Sequence, residues 1–168
     1  VFLDALGTRR IPDPTTAGDF CRRFGERSIR DLMEAIDEAR LKVWARQPKK
    51  FFQRATIDLD GTLVVTTGQC KEGMDISYKG TWGYHVLLAT LAQTGEVLRL
   101  VNRSGNRPSQ EGAAEEADEA VALCRRAGFR RIVLRGDTAF SQSEKLDGWD
   151  ADRVTRPERA WFTSRRRT

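Results

Sequence analysis

The order of apolar runs between residues 55 and 137 constrains this chain more than any other feature. "ATIDLDGTLVV" (55–65) alternates as a β-strand does, with Ile57 and Leu59 on one side and Thr56, Asp58 and Asp60 on the other. "YHVLLATLAQ" (84–93) and "EVLRLVN" (96–102) follow as strands joined through Thr94-Gly95, a hairpin signal. Ser109 then caps a helix running to about Ala127, with Glu111, Glu115, Glu116 and Glu119 in its N-terminal part. Arg125 and Arg126 fill its last turn and Gly128 ends it, so the charges complement the helix dipole. "RRIVLRGD" (130–137) reads as a buried strand ending in Asp137.

A helix between two strands is the crossover that parallel pairing needs, and its hand should be right. The expected fold class is α/β: a mixed sheet of strand, antiparallel hairpin, helix and parallel strand. With the last strand beside the first, Asp60 and Asp137 leave the sheet at the same end, where such sheets place their chemistry.

The segment ahead of the sheet is helical in pattern. Pro12 and Pro14 precede Thr15 and Thr16, an opening suited to a hydroxyl-capped helix that stops at Gly25. Ser28 caps a longer helix, on which Ile29, Leu32, Met33, Ile36, Ala39, Leu41 and Val43 leave a broad apolar stripe up to Gln47-Pro48. "GQCKEGMDISYKGTWG" (68–83) reads as loop or irregular edge. The expected division is a helical segment over 1–50, a sheet domain over 51–150 and a basic, irregular tail over 151–168.

Composition narrows the function classes. Of the 168 residues 39% are hydrophobic and 32% charged, which suits a domain with a core and excludes a mostly disordered chain. No apolar run nears the roughly 18 residues of a membrane span. Cys21, Cys70 and Cys124 are scattered, without a CxxC pair, which argues against a zinc site and fits a reducing cytoplasm. The net charge of +5 is concentrated in residues 151–168, where six Arg stand against Asp152 and Glu158. The remainder is near neutral, so bulk charge alone does not indicate nucleic acid.

Two chemistries fit the acidic strand. "IDLDGTLV" resembles the nucleophile motif of haloacid-dehalogenase-type phosphatases, which implies Asp58 as nucleophile and Asp60 as acid/base. That chemistry needs a cation, usually Lys, beside the transferred phosphate, and no Lys occurs between Lys79 and Lys145. The hairpin also conflicts with that family's parallel core.

The longer resemblance is of another kind. Residues 70–138, from "CKEGMDISYKG" through "GYHVLL" to "RGDT", and residues 11–24, "IPDPTTAGDFCRRF", resemble bacterial insertion-sequence transposases of the DDE type. The resemblance, over roughly residues 3–150, is to the IS4 superfamily and its IS1380-like group. It implies an RNase H-like fold and Mg²⁺ (or Mn²⁺) held between carboxylates, with nicking of transposon ends and joining of the 3′-hydroxyl to target DNA. Asp60 and Asp137 are then the expected catalytic and metal-binding pair, with Asp58 as the alternative to Asp60. DNA is the expected partner, with a homodimer and no membrane, in the bacterial cytoplasm.

The chain departs from that pattern. DDE enzymes place a third acid on a later helix, whereas here 31 residues follow Asp137. Their acids, Glu144, Asp147, Asp150, Asp152 and Glu158, lie outside the family's Tyr…Arg…Glu…Lys setting. A truncated or frameshifted product, inactive in strand transfer on its own, is the expectation. Val86 replaces the relatives' Pro, and Ala139 their Asp or Gly. Arg103, Arg107 and Arg135 are candidate phosphate contacts. Trp82 and Tyr84 have rings suited to stacking on a base, although strand aromatics mostly pack in cores.

Overall fold

The computed structural model describes residues 13–67, 71–137 and 140. Two compact units divide between Val43 and Trp44. Among the described residues no helix is long and apolar enough to cross a membrane.

The first unit is helical. Helix α1 spans Pro14–Cys21, and its cap is not a hydroxyl: Asp13 accepts from the Thr15 amide at 2.8 Å. That bond holds the Asp13 carboxyl below its ordinary pKa. Helix α2, Glu26–Trp44, begins two residues before the expected Ser28 cap. Its apolar stripe is present but uncovered, with Ile29, Leu32, Ile36 and Val43 between 41% and 57% exposed. Asp37, buried, pairs with Arg40 at 2.5 Å.

The second unit is the sheet. Its strands are β1 (Ala55–Val65), β2 (Asp75–Ile76), β3 (Trp82–Leu91), β4 (Glu96–Val101) and β5 (Ile132–Arg135). β3 runs antiparallel to β1 from Ile57↔Leu91 to Val65↔Gly83, while β5 is parallel to β1 from Ala55↔Ile132 to Asp58↔Arg135. The outer edge of β3 is shared: β4 pairs its C-terminal half, Ser104 bridges Tyr84, and β2 pairs Gly83 and Trp82. The hairpin between β3 and β4 turns at Gly95, whose φ of +72° a side chain would strain. The stretch read as loop or irregular edge thus contributes a short edge strand, β2, and the start of β3. This mixed parallel and antiparallel sheet, with a helix on one face, is consistent with an RNase H-like α/β fold.

Helix α3 (Ala113–Ala127) crosses back over one face. Its Ala117, Ala120, Leu123 and Cys124 bury against Ile57, Leu59, Leu87, Ala89 and Leu91, all within 7% exposure. The helix starts at Ala113, and its cap is Gly112 in the left-handed region, three residues after Ser109, with no side-chain bond. The reason is Arg103, whose guanidinium donates to the carbonyls of Pro108, Ser109 and Glu111 and so fixes them as turn. At the far end Trp44, Phe51, Phe52 and Phe129 form an aromatic cluster, and the Trp44 indole donates to Glu96 at 3.0 Å.

Candidate active site

The site is built where β1 outruns β5. Register partners share a face, so Thr56, Asp58 and Asp60 lie opposite the α3 side, with Arg135 beside Asp58. The ladder ends at Asp58↔Arg135, and two residues further on stand Asp60, still on β1, and Asp137, past the end of β5. Both are exposed.

The two carboxylates of β1 are not equivalent. Asp58 receives a fork from Arg135, Nε to Oδ1 at 2.6 Å and Nη2 to Oδ2 at 2.7 Å. The bonds to Asp58 hold the Arg135 pKa above its ordinary value. Asp60 makes no such pair among the described residues; it accepts from Thr62 Oγ1 at 3.3 Å. The Asp137 carbonyl accepts from the Phe140 amide at 3.1 Å.

Across the sheet, on the α3 side, Gly61 lets two side chains close over the strand. A Cβ there would stand 2.9 Å from His85 Cε1 and 3.1 Å from Ser109 Oγ. His85 Nδ1 lies 3.1 Å from Arg103 Nη2, an N–H donor, so Nδ1 accepts and the ring is neutral. Burial, then the Arg103 charge, holds the His85 pKa below 6.5. Burial also lowers the Arg103 pKa. Arg103 is therefore committed to the turn after β4. Arg107, on that turn, is exposed and pairs with Glu111 at 2.9 Å. This use of Arg103 and His85 was not foreseen in the sequence, where only the turn residues Gly105 and Pro108 hint that the loop needs internal support.

Among the described residues no group of three or more His, Cys, Asp or Glu is placed to hold a metal. Asp75 accepts from Asn106 at 2.6 Å and from the Ile76 amide, and the Glu72 carbonyl accepts from the Tyr84 hydroxyl at 2.8 Å. Glu144, Asp147, Asp150, Asp152 and Glu158 lie outside the described residues, as do Ala139 and the 151–168 tail.

No curated protein and no solved structure matches the chain. One family model does, over residues 5–155, most of the chain's length, and its description is "Transposase DDE domain group 1". Membership in a transposase family implies interaction with DNA. The chain belongs to the DDE-domain transposases.

Proposed function

We propose that Asp60 and Asp137 are the first two carboxylates of a DDE active site that cuts transposon ends and joins the 3′-hydroxyl to target DNA. The observation that carries this reading is the pairing of Asp58 with Arg135 at the last rung between parallel neighbours, one step before Asp60 and Asp137. Arg135 neutralises the inner carboxylate, which leaves Asp60 as the ligand and removes one like charge from the cluster. Two hard oxygen donors at an exposed strand end suit Mg²⁺ or Mn²⁺, which bind through one or two carboxylates and keep several waters. When bound, the ions supply activation of the attacking oxygen and stabilisation of the leaving one. The protein's part is to hold Asp60 on β1 and Asp137 just past the end of its parallel neighbour β5.

The finer assignments belong to the same reading: the IS4 superfamily and its IS1380-like group, a catalytic region over 51–150, the bacterial cytoplasm, and a homodimer on DNA. Arg107 and the unforked edge of Arg135 are its phosphate contacts, and Arg103 supports the loop.

The phosphatase alternative draws support from Arg135, a cation beside Asp58, but the fork occupies both oxygens of the supposed nucleophile. The antiparallel β3 against β1 also disfavours it. Mn²⁺ binding followed by electron paramagnetic resonance separates the readings. Asp60→Asn and Asp137→Asn are each expected to weaken binding at least about ten-fold, with little effect of Asp58→Asn. Unchanged Mn²⁺ affinity in both would remove the reading, and phosphomonoester turnover lost in Asp58→Asn would replace it.

A further inference from the structure

We propose that the outer end of the sheet, where β1, β3 and β2 extend past Asp60, is a stacking platform for single-stranded DNA. Trp82 and Tyr78 each take a base there, and Lys79 takes a phosphate. The inference rests on the DNA-processing reading above and adds to it a path for the strand.

The path follows from the register. β1 leaves β5 at Asp58 but stays paired with β3 to Val65, and the Thr66 amide still donates to the Trp82 carbonyl. From Asp60 to Thr66 the ribbon runs ~20 Å at about 3.3 Å per residue. On the Asp60 face lie Thr62, Val64, Tyr84, Trp82 and, through β2, Ile76. Tyr84 is anchored by its hydroxyl, so it is not the stacking ring. Trp82 is 50% exposed, and Tyr78, on the turn between β2 and β3, is 92% exposed.

These rings stand on a fixed support. Gly83 passes so close to β1 that a Cβ would lie 2.3 Å from the Val64 carbonyl oxygen, and Gly105 is as tightly set against Asp75 and Gly83. The turn is closed by the Ser77 amide to the Thr81 carbonyl at 2.8 Å and by the Gly80 amide to the Ser77 carbonyl at 2.9 Å. The backbone that carries these rings is thus held in place, so little main-chain order has to be created when a planar partner binds. Lys79 Nζ sits 5.3 Å from the Tyr78 ring centroid, which places a cation beside the stacking surface. Aromatic rings with an adjacent cation are the chemistry of sequence-tolerant single-strand binding. Val64 and Ile76 are exposed on the same face and give the rings an apolar floor. The tip's most exposed group is the Tyr78 phenol with an ammonium at its face, which favours a base and its phosphate over a wholly apolar protein partner.

The test uses the full chain and a short fluorescein-labelled oligothymidylate, with an iodouracil-substituted version for photocrosslinking. Tyr78→Ala and Trp82→Ala are each expected to weaken binding about ten-fold and Trp82→Phe to restore most of it. Lys79→Gln should lower the salt dependence by about one charge. Crosslinks are expected at Tyr78 or Trp82, which separates this platform from adventitious binding by the Arg-rich tail. Binding and crosslinking unchanged in both alanine variants overturn the platform alone. Failure of the unaltered chain to bind any DNA overturns the DNA reading with it. Self-association lost in the same variants, with DNA affinity intact, assigns the tip to a second copy and overturns the proposal.

Discussion

A methyl group at position 61 would collide with His85 and Ser109, so Gly61 reports directly on the crowding beside Asp60. Gly61→Ala is expected to cost about 1–2 kcal/mol in chemical denaturation, a typical overpacking penalty. The obstructing atoms are side-chain ends, so His85→Ala in the same chain should recover most of that loss in a double-mutant cycle. His85 also sets a pH dependence. Its pKa in the fold lies below the unfolded value near 6.5, so the unfolded chain binds the extra proton first. Stability should therefore be full above that value and fall as pH drops through it, and melting of His85→Gln should lose this component. Glu116, half-buried on α3, has the opposite sign: burial, then Glu119, raises its pKa, so its ionised form is disfavoured in the fold. Glu116→Gln should raise the melting temperature slightly at neutral pH, with an effect of up to ~0.5 kcal/mol, and not in acid.

At the level of elements, alternation and turn chemistry made β1, β4, β5 and α3 readable, because each carries its period over several residues. What escaped was set by contacts remote in sequence. The start of α3 moved from Ser109 to Ala113 because Arg103 holds the intervening carbonyls, and nothing local to Ser109 announces that. The 68–83 stretch reads as loop or irregular edge because two residues carry no period; β2 is such an edge, and its pairing depends on glycines that allow backbones to touch. Of the proposed site, the shared end of β1 and β5 at which Asp60 and Asp137 stand follows from element order, whereas the Arg135 fork that distinguishes Asp58 from Asp60 needs the register. Gly83→Ala tests the element directly. Its Cβ meets backbone, which cannot swing aside, so the outer ends of β1 and β3 should part at a cost above about 2 kcal/mol. Hydrogen exchange should accelerate over residues 62–66 and 82–84 and spare β5.

For the molecule as a whole, the sheet unit closes on itself through Trp44, which is 1% exposed and packs on Phe51 and Phe129. Trp44→Ala is expected to cost about 3–5 kcal/mol, enough to unfold much of a marginally stable unit, with loss of near-ultraviolet circular dichroism as the readout. The sheet's flanks differ. β3 has its far side filled in turn by β4, Ser104 and β2, while β5 has β1 on one side and, among the described residues, no strand on the other. An open row of amides and carbonyls is a template for any extended chain that meets it. Here the apolar triplet Ile132, Val133 and Leu134 is bracketed by Arg130, Arg131 and Arg135. Mutual repulsion of Arg130 and Arg131, Arg135 being paired with Asp58, discourages two copies from zipping together along that margin, a safeguard that matters most at the high local concentrations met during synthesis.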